Sequence, residues 1–216
     1  MSEREEGLEV VAPSPDRRRR PRSDFFASRE VLLNSVEVLL ARQGQWFSLI
    51  DLAKEAGMST ATAYRHFSDS NEVLTAYYER LIHGLTTEIQ AVPEHLSPFE
   101  RFEMICSVWV KQALTWFGAA VQIRSASGYL LRVQAGNKLI CELHDTLLPI
   151  VNALIESGEI PSQTREYAVL MWVTIFDERV IADLYQALGW SVNRITEELT
   201  DSAVAILRRR AGCVET

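Results

Sequence analysis

The sequence predicts an all-α protein with a small helix-turn-helix domain on its N-terminal side and a larger helical body behind it. Three observations carry that reading. Apolar residues recur at three-to-four spacing along most of the chain, and no stretch alternates apolar with polar residues as a half-buried strand does. Ser48–Leu74, SLIDLAKEAGMSTATAYRHFSDSNEVL, reads as two short helices around a glycine turn followed by a long third helix. Further on, two long segments each carry a broad apolar face that one small domain cannot easily cover.

Taken in order, residues 1–23 read as a flexible basic arm. Two prolines flank Ser14 and an arginine run, Arg17-Arg18-Arg19-Arg20, follows, so little apolar surface is available for burial. Residues 24–70 form the helix-turn-helix domain. Its first helix, Arg29–Arg42, carries Val31, Leu32, Val36, Leu39 and Leu40 and stops near Gly44. Ser48 is placed to cap the next helix, whose apolar positions are Leu49, Leu52, Ala53 and Ala56, and Gly57 supplies the left-handed stop. Ser59 then caps a helix over Thr60–His66, Phe67 anchors it in the core, and Asp69 to Glu72 form a capping box opening a helix over Ser70–Gln90.

Residues 71–212 form the helical body. Ser97-Pro98-Phe99-Glu100 has the order of cap, first-turn proline and N3 glutamate, and the helix it opens runs to about Phe117. The stretch from Gly118 to Ala135 reads as one helix broken near Gly128. Asn137–Glu156 is the next helix, stopped by Gly158 and Pro161, and Ser162–Leu188 and Ser191–Arg210 complete the chain as two long helices.

Composition bounds the function. With 216 residues and 47% hydrophobic content the chain can bury a substantial core, while a net charge of −7 argues against general coating of nucleic acid. No stretch is long and apolar enough to span a bilayer and the N-terminus is unlike a secretory signal, so a cytoplasmic protein is expected. Cys106, Cys141 and Cys213 form no CxxC pair. Cys141, Glu142, His144 and Asp145 cluster on one helix, but such a cluster is more often a partly buried cysteine beside a solvated edge, so no metal and no cofactor is expected. No phosphate loop, nucleophile elbow or H-E-x-x-H motif is present, which weighs against an enzyme.

The chemistry instead lies on the Thr60–His66 helix. Thr60 and Thr62 offer hydroxyls and methyls to base edges, Ala61 permits close approach, and Tyr64, Arg65 and His66 can reach phosphates; Ser48 and Ser59 complete the expected DNA-binding set with Arg17, Arg18, Arg19 and Arg20 of the arm. The segment Gly57-Met58-Ser59-Thr60-Ala61-Thr62-Ala63-Tyr64-Arg65-His66-Phe67, with Asn71-Glu72-Val73-Leu74 beyond it, closely resembles the recognition segment of TetR-type (tetracycline-repressor-like) regulators. It departs from the family at Ser70, where a phosphate-contacting lysine is usual, and at Ala63, where a larger aliphatic residue is common. The resemblance implies a dimer built from the last two helices of each subunit, a palindromic operator, and a ligand that shifts the Ser70–Gln90 helix.

Two further surfaces follow from the apolar faces. Val180, Leu184, Val192, Ile195, Leu199, Ala203 and Ile206 are expected at a homodimer interface. Trp109, Trp116, Phe117, Tyr129, Trp172 and Phe176 supply more aromatic area than a core of this size needs, and with Gln112, Gln122 and Asp177 they are expected to line a pocket for a small hydrophobic or aromatic effector. The expected function is therefore a ligand-responsive transcriptional regulator, a repressor released from double-stranded operator DNA by its effector. The alternatives are an all-α small-molecule-binding protein or enzyme whose helix-turn-helix is structural, and a regulator controlled by a protein partner.

Overall fold

The computed structural model describes residues 20–44, 46–115 and 127–209. Ten helices run through them: α1 (Arg20–Gln43), α2 (Leu49–Glu55), α3 (Thr60–His66), α4 (Ser70–Gln90), α5 (Pro98–Thr115), α6 (Tyr129–Gln134), α7 (Lys138–Glu156), α8 (Arg165–Ile175), α9 (Glu178–Gln186) and α10 (Val192–Arg208). Most ends are fixed by local chemistry. Ser48, Ser59, Asp69, Asn137 and Ser191 each accept a hydrogen bond from an otherwise free backbone N–H of the first turn. Ser97 and Glu100 form the reciprocal box expected of them, Ser97 N–H donating to Glu100 Oε2 at 3.0 Å and Glu100 N–H to Ser97 Oγ at 3.3 Å. At α4 the box is only half closed: Asp69 accepts from Glu72 N–H, but the Glu72 carboxylate turns to Ser68 N–H and Oγ.

Two hydrophobic cores result. The smaller gathers Leu32, Leu33, Val36, Leu39 and Leu40 of α1, Leu49, Leu52 and Ala53 of α2, Ala63 of α3 and Phe67, closed by Val73, Leu74, Ala76 and Tyr77 from the first two turns of α4. The larger takes Ile82, Leu85 and Ile89 from the rest of α4 together with α5 and α7–α10. Leu81 packs against both. The helix expected to begin the body is thus shared, and its first half seals the small head.

Three boundaries differ from expectation. α1 reaches back to Arg20, inside the stretch read as an arm, and Val31 is exposed while Leu33 takes the core position. The segment read as one helix over Ser162–Leu188 breaks at Phe176, which leaves helical geometry at ψ 24°, and Asp177 caps the new helix α9. Neither glycine nor proline marks that break. The last correction concerns the expected interface: Ile195, Leu199 and Ala203 are buried inside the subunit, at 0%, 7% and 0% exposure, because α10 turns that stripe onto the body's own core. Val180 and Ile206 are exposed, and Leu184 and Val192 are half-buried against the core.

At the centre of the body Phe102, Trp109, Trp172 and Phe176 meet with ring centroids 4.7–6.0 Å apart. Cys106 is fully buried beside them, near the Trp172 indole and the Thr200 hydroxyl. Burial pushes that thiol well above its ordinary range.

Candidate nucleic-acid interface and regulatory site

The turn between α2 and α3 is set by Gly57 at φ +65°, a conformation that favours glycine, and Met58 N–H closes it on the Ala53 carbonyl at 2.8 Å. Ala63 is fully buried where α3 meets the head's core, so its small size brings that helix close. Ser59 Oγ accepts from Thr62 N–H at 3.1 Å and lies 2.8 Å from Thr62 Oγ1. Both hydroxyls are thus held at the start of α3. Ser48 is likewise engaged, in a reciprocal box with Asp51 whose hydrogen bonds hold the Asp51 carboxyl below the usual range.

The outward face of α3 presents Ser59, Thr60, Ala61, Tyr64 and Arg65, with Thr62 half-buried and Tyr64 57% exposed. His66 does not join them. It is 9% exposed, its ring lies 4.1 Å from that of Phe25 on α1 and 6.4 Å from Phe67, and neither ring nitrogen has a hydrogen-bond partner. The expected phosphate contact is corrected to a packing role, because Phe25, on the part of α1 that precedes the helix expected over Arg29–Arg42, lies over it. Burial first, then the Arg65 and Arg29 charges, lower the His66 pKa, so the ring is neutral at neutral pH. Phe25 was missed for the same reason: it precedes the periodic stretch from which the first helix was read. Arg17, Arg18 and Arg19 lie outside the described residues, and of Arg20 only the helical backbone is described.

The expected effector pocket fares differently. Trp109, Trp172 and Phe176 are at most 5% exposed and fill the core against one another rather than walling a cavity, which corrects their assignment. Asp177 is corrected too, since its carboxylate accepts from Arg179 N–H and Nε–H at 3.0 Å each. Trp116, Phe117 and Gln122 lie outside the described residues, and Gln112 is half-buried on α5. Among the described members of the set, Tyr129 meets a buried polar partner, its hydroxyl 3.3 Å from Nδ1 of His144 on α7. Burial pushes the Tyr129 phenol well up, so it stays protonated and can donate. Sequence spacing offered no signal for this pair, because the two residues sit on different helices.

The residues weighed as metal ligands diverge. Cys141 Sγ–H donates to the Val133 carbonyl at 3.6 Å, Glu142 turns towards α4, His144 meets Tyr129 and Asp145 is exposed. Among the described residues no group of three such side chains is placed to hold a metal ion, and no helix is long and apolar enough to cross a membrane.

A short helix-turn-helix head whose third helix is polar outward is joined through a shared long helix to an all-α body. The fold is that of the TetR-type regulators. The regulator FadR from Bacillus subtilis in complex with stearoyl-CoA superposes with a TM-score of 0.69 at 17% identity over 82% of this chain and 97% of that one. A regulatory protein of the TetR family from Rhodococcus RHA1 gives 0.66 at 14% over 83% and 96%. RolR in complex with resorcinol gives 0.60 at 17% over 88% and 92%. No protein-family model matches this sequence, and no curated protein sequence matches it.

Proposed function

We propose that the chain is a ligand-responsive transcriptional regulator that binds a palindromic operator as a dimer and is released by a small hydrophobic effector. The observation that carries this reading is the outward face of α3, where Thr60, Ala61, Tyr64 and Arg65 stand clear of the core on a helix pinned by its cap and by Ala63. The match in fold to proteins whose complexes hold stearoyl-CoA or resorcinol supports an apolar or aromatic effector. Tyr129 and His144 are the polar groups suited to orient it in the body. Dimerisation fits the exposed apolar residues Tyr167, Val180 and Ile206 of the last three helices and Leu188 between α9 and α10, since two heads read twice the base pairs of one.

The test is direct. Tyr64→Ala should weaken binding to an operator duplex by about 1–3 kcal/mol, while urea unfolding shows stability changed by less than about 0.5 kcal/mol. Unaltered affinity removes α3 from the interface and favours a structural helix-turn-helix.

A further inference from the structure

α4 is bonded to both halves of the molecule within two turns. On its head side, Arg80 donates to Asn34 Oδ1 at 2.7 Å and to the Leu33 carbonyl at 3.1 Å, with Glu30 Oε2 at 3.4 Å, all on α1, and its guanidinium lies over the Tyr77 ring. On its body side, one carboxylate oxygen of α7 spans a turn of α4: Glu142 Oε1 lies 3.0 Å from His83 Nδ1 and 2.9 Å from Thr86 Oγ1. The His83 ring from α4 and the Lys138 ammonium from α7 lie about that carboxylate. With the Thr86 hydroxyl they hold it ionised below its usual range.

This contact is built so that it can open. Thr86 is 1% exposed, and an orphaned hydroxyl there would be costly. Its proton, however, has a second acceptor 3.0 Å away, the His83 carbonyl of its own helix, so Thr86 stays satisfied when α7 withdraws. Glu142 and His83 side chains, 36% and 74% exposed, can return to water. Gly84 sits within the turn that Glu142 spans, between His83 and Thr86, and a Cβ placed there meets nothing within 4 Å. Close packing is therefore not what keeps glycine at this site. What glycine does supply is a soft point in the helix, next to a carbonyl that Thr86 and Thr87 both bond.

We infer that Glu142 is a positioning residue, the hook by which α7 holds α4 and so fixes the angle at which the body presents the DNA-reading head. The inference rests on the regulator reading above and deepens it. Displacement of α7, two residues from His144, releases Glu142 from α4, lets the helix flex at Gly84, and reaches α1 through Arg80. The two acceptors within reach of the Thr86 hydroxyl, Glu142 while α7 is in place and the His83 carbonyl once it withdraws, supply the two-state element that transmission requires.

The experiment uses the full chain and a duplex that wild type selects from a random pool. Affinity is measured between about pH 5.5 and 8 for wild type, Glu142→Gln, Glu142→Asp and His83→Gln. Glu142→Gln should change affinity about 3- to 10-fold and remove the same part of the pH profile that His83→Gln removes, with Glu142→Asp restoring part of it. Identical affinities and profiles in wild type and Glu142→Gln overturn the inference. If wild type selects no duplex, the regulator reading fails, and amide hydrogen exchange still decides the hook. Glu142→Gln should then speed exchange about fivefold or more from Arg80 to Ile89 and in α1 beside Arg80. Acceleration confined to α7 overturns it.

Discussion

The head and the body solve the same packing problem at different scales. In the head, four short apolar stripes meet around Leu32, Leu52, Phe67 and Tyr77, and α2, α3 and α4 each open on a side chain that caps them within one turn. In the body, long stripes close on one another around an aromatic centre, and that centre includes donors without oxygen or nitrogen partners, the Trp172 indole and the Thr200 hydroxyl. The head is thus specified by local chemistry and the body by long-range fit. A surface change can disable the first without unfolding it, whereas the second answers mainly to volume and polarity.

Leu199→Glu should break this contrast most severely. Leu199 sits in the body's core, so the carboxylate is buried without a partner, and urea unfolding should show a loss of about 4 kcal/mol or more. A stable monomer instead would mean that α10 faces a second subunit there. Val180→Glu, on an exposed site, should leave the fold intact and shift light scattering towards the monomer. Phe67→Ala comes next, at about 3–4 kcal/mol, and operator binding should vanish while amides of α7, α8 and α10 keep their protection. Loss of protection in both regions at once would make head and body one cooperative unit. Ser59→Ala should cost about 1 kcal/mol through the lost cap.

The mildest test is acidification. His66 has a folded pKa below its ordinary 6.5, so the unfolded chain binds the proton more readily than the folded one. Stability is lost as pH falls from 6.5 towards that lowered value. Protection in α1 and α3 should therefore weaken before that of the body, and His66→Phe should remove the trend. The depressed carboxylates act in the same direction at lower pH: what Asp51, Glu72 and Glu100 contribute is present above their ordinary values and lost only in stronger acid.

What could be read from the sequence follows the same division. Ser48, Gly57, Ser59, Ser97 and Ser191 marked real helix ends because a cap and its backbone partner lie within one turn. The break at Asp177 was hidden, since Asp177 lies between residues that continue an apolar stripe. Periodicity also showed that Ile195, Leu199 and Ala203 share a face without showing what covers it, and a subunit core and a partner subunit look alike in that signal. His66 failed for a further reason: whether a histidine at a helix end meets phosphate or packs depends on Phe25, about forty residues away in sequence.

The buried thiol supplies a clock for the body. Alkylating reagents attack the thiolate, and Cys106 is both sealed from solvent and held in its protonated form, so it should resist labelling for as long as α5, α8 and α10 stay together. Cys141, half-buried on α7, labels from the native surface and serves as the internal standard. The ratio of the two labelling rates then measures how often the aromatic centre opens. An effector that threads between these helices should slow that opening or quicken it, so a compound library can be screened with no operator in hand.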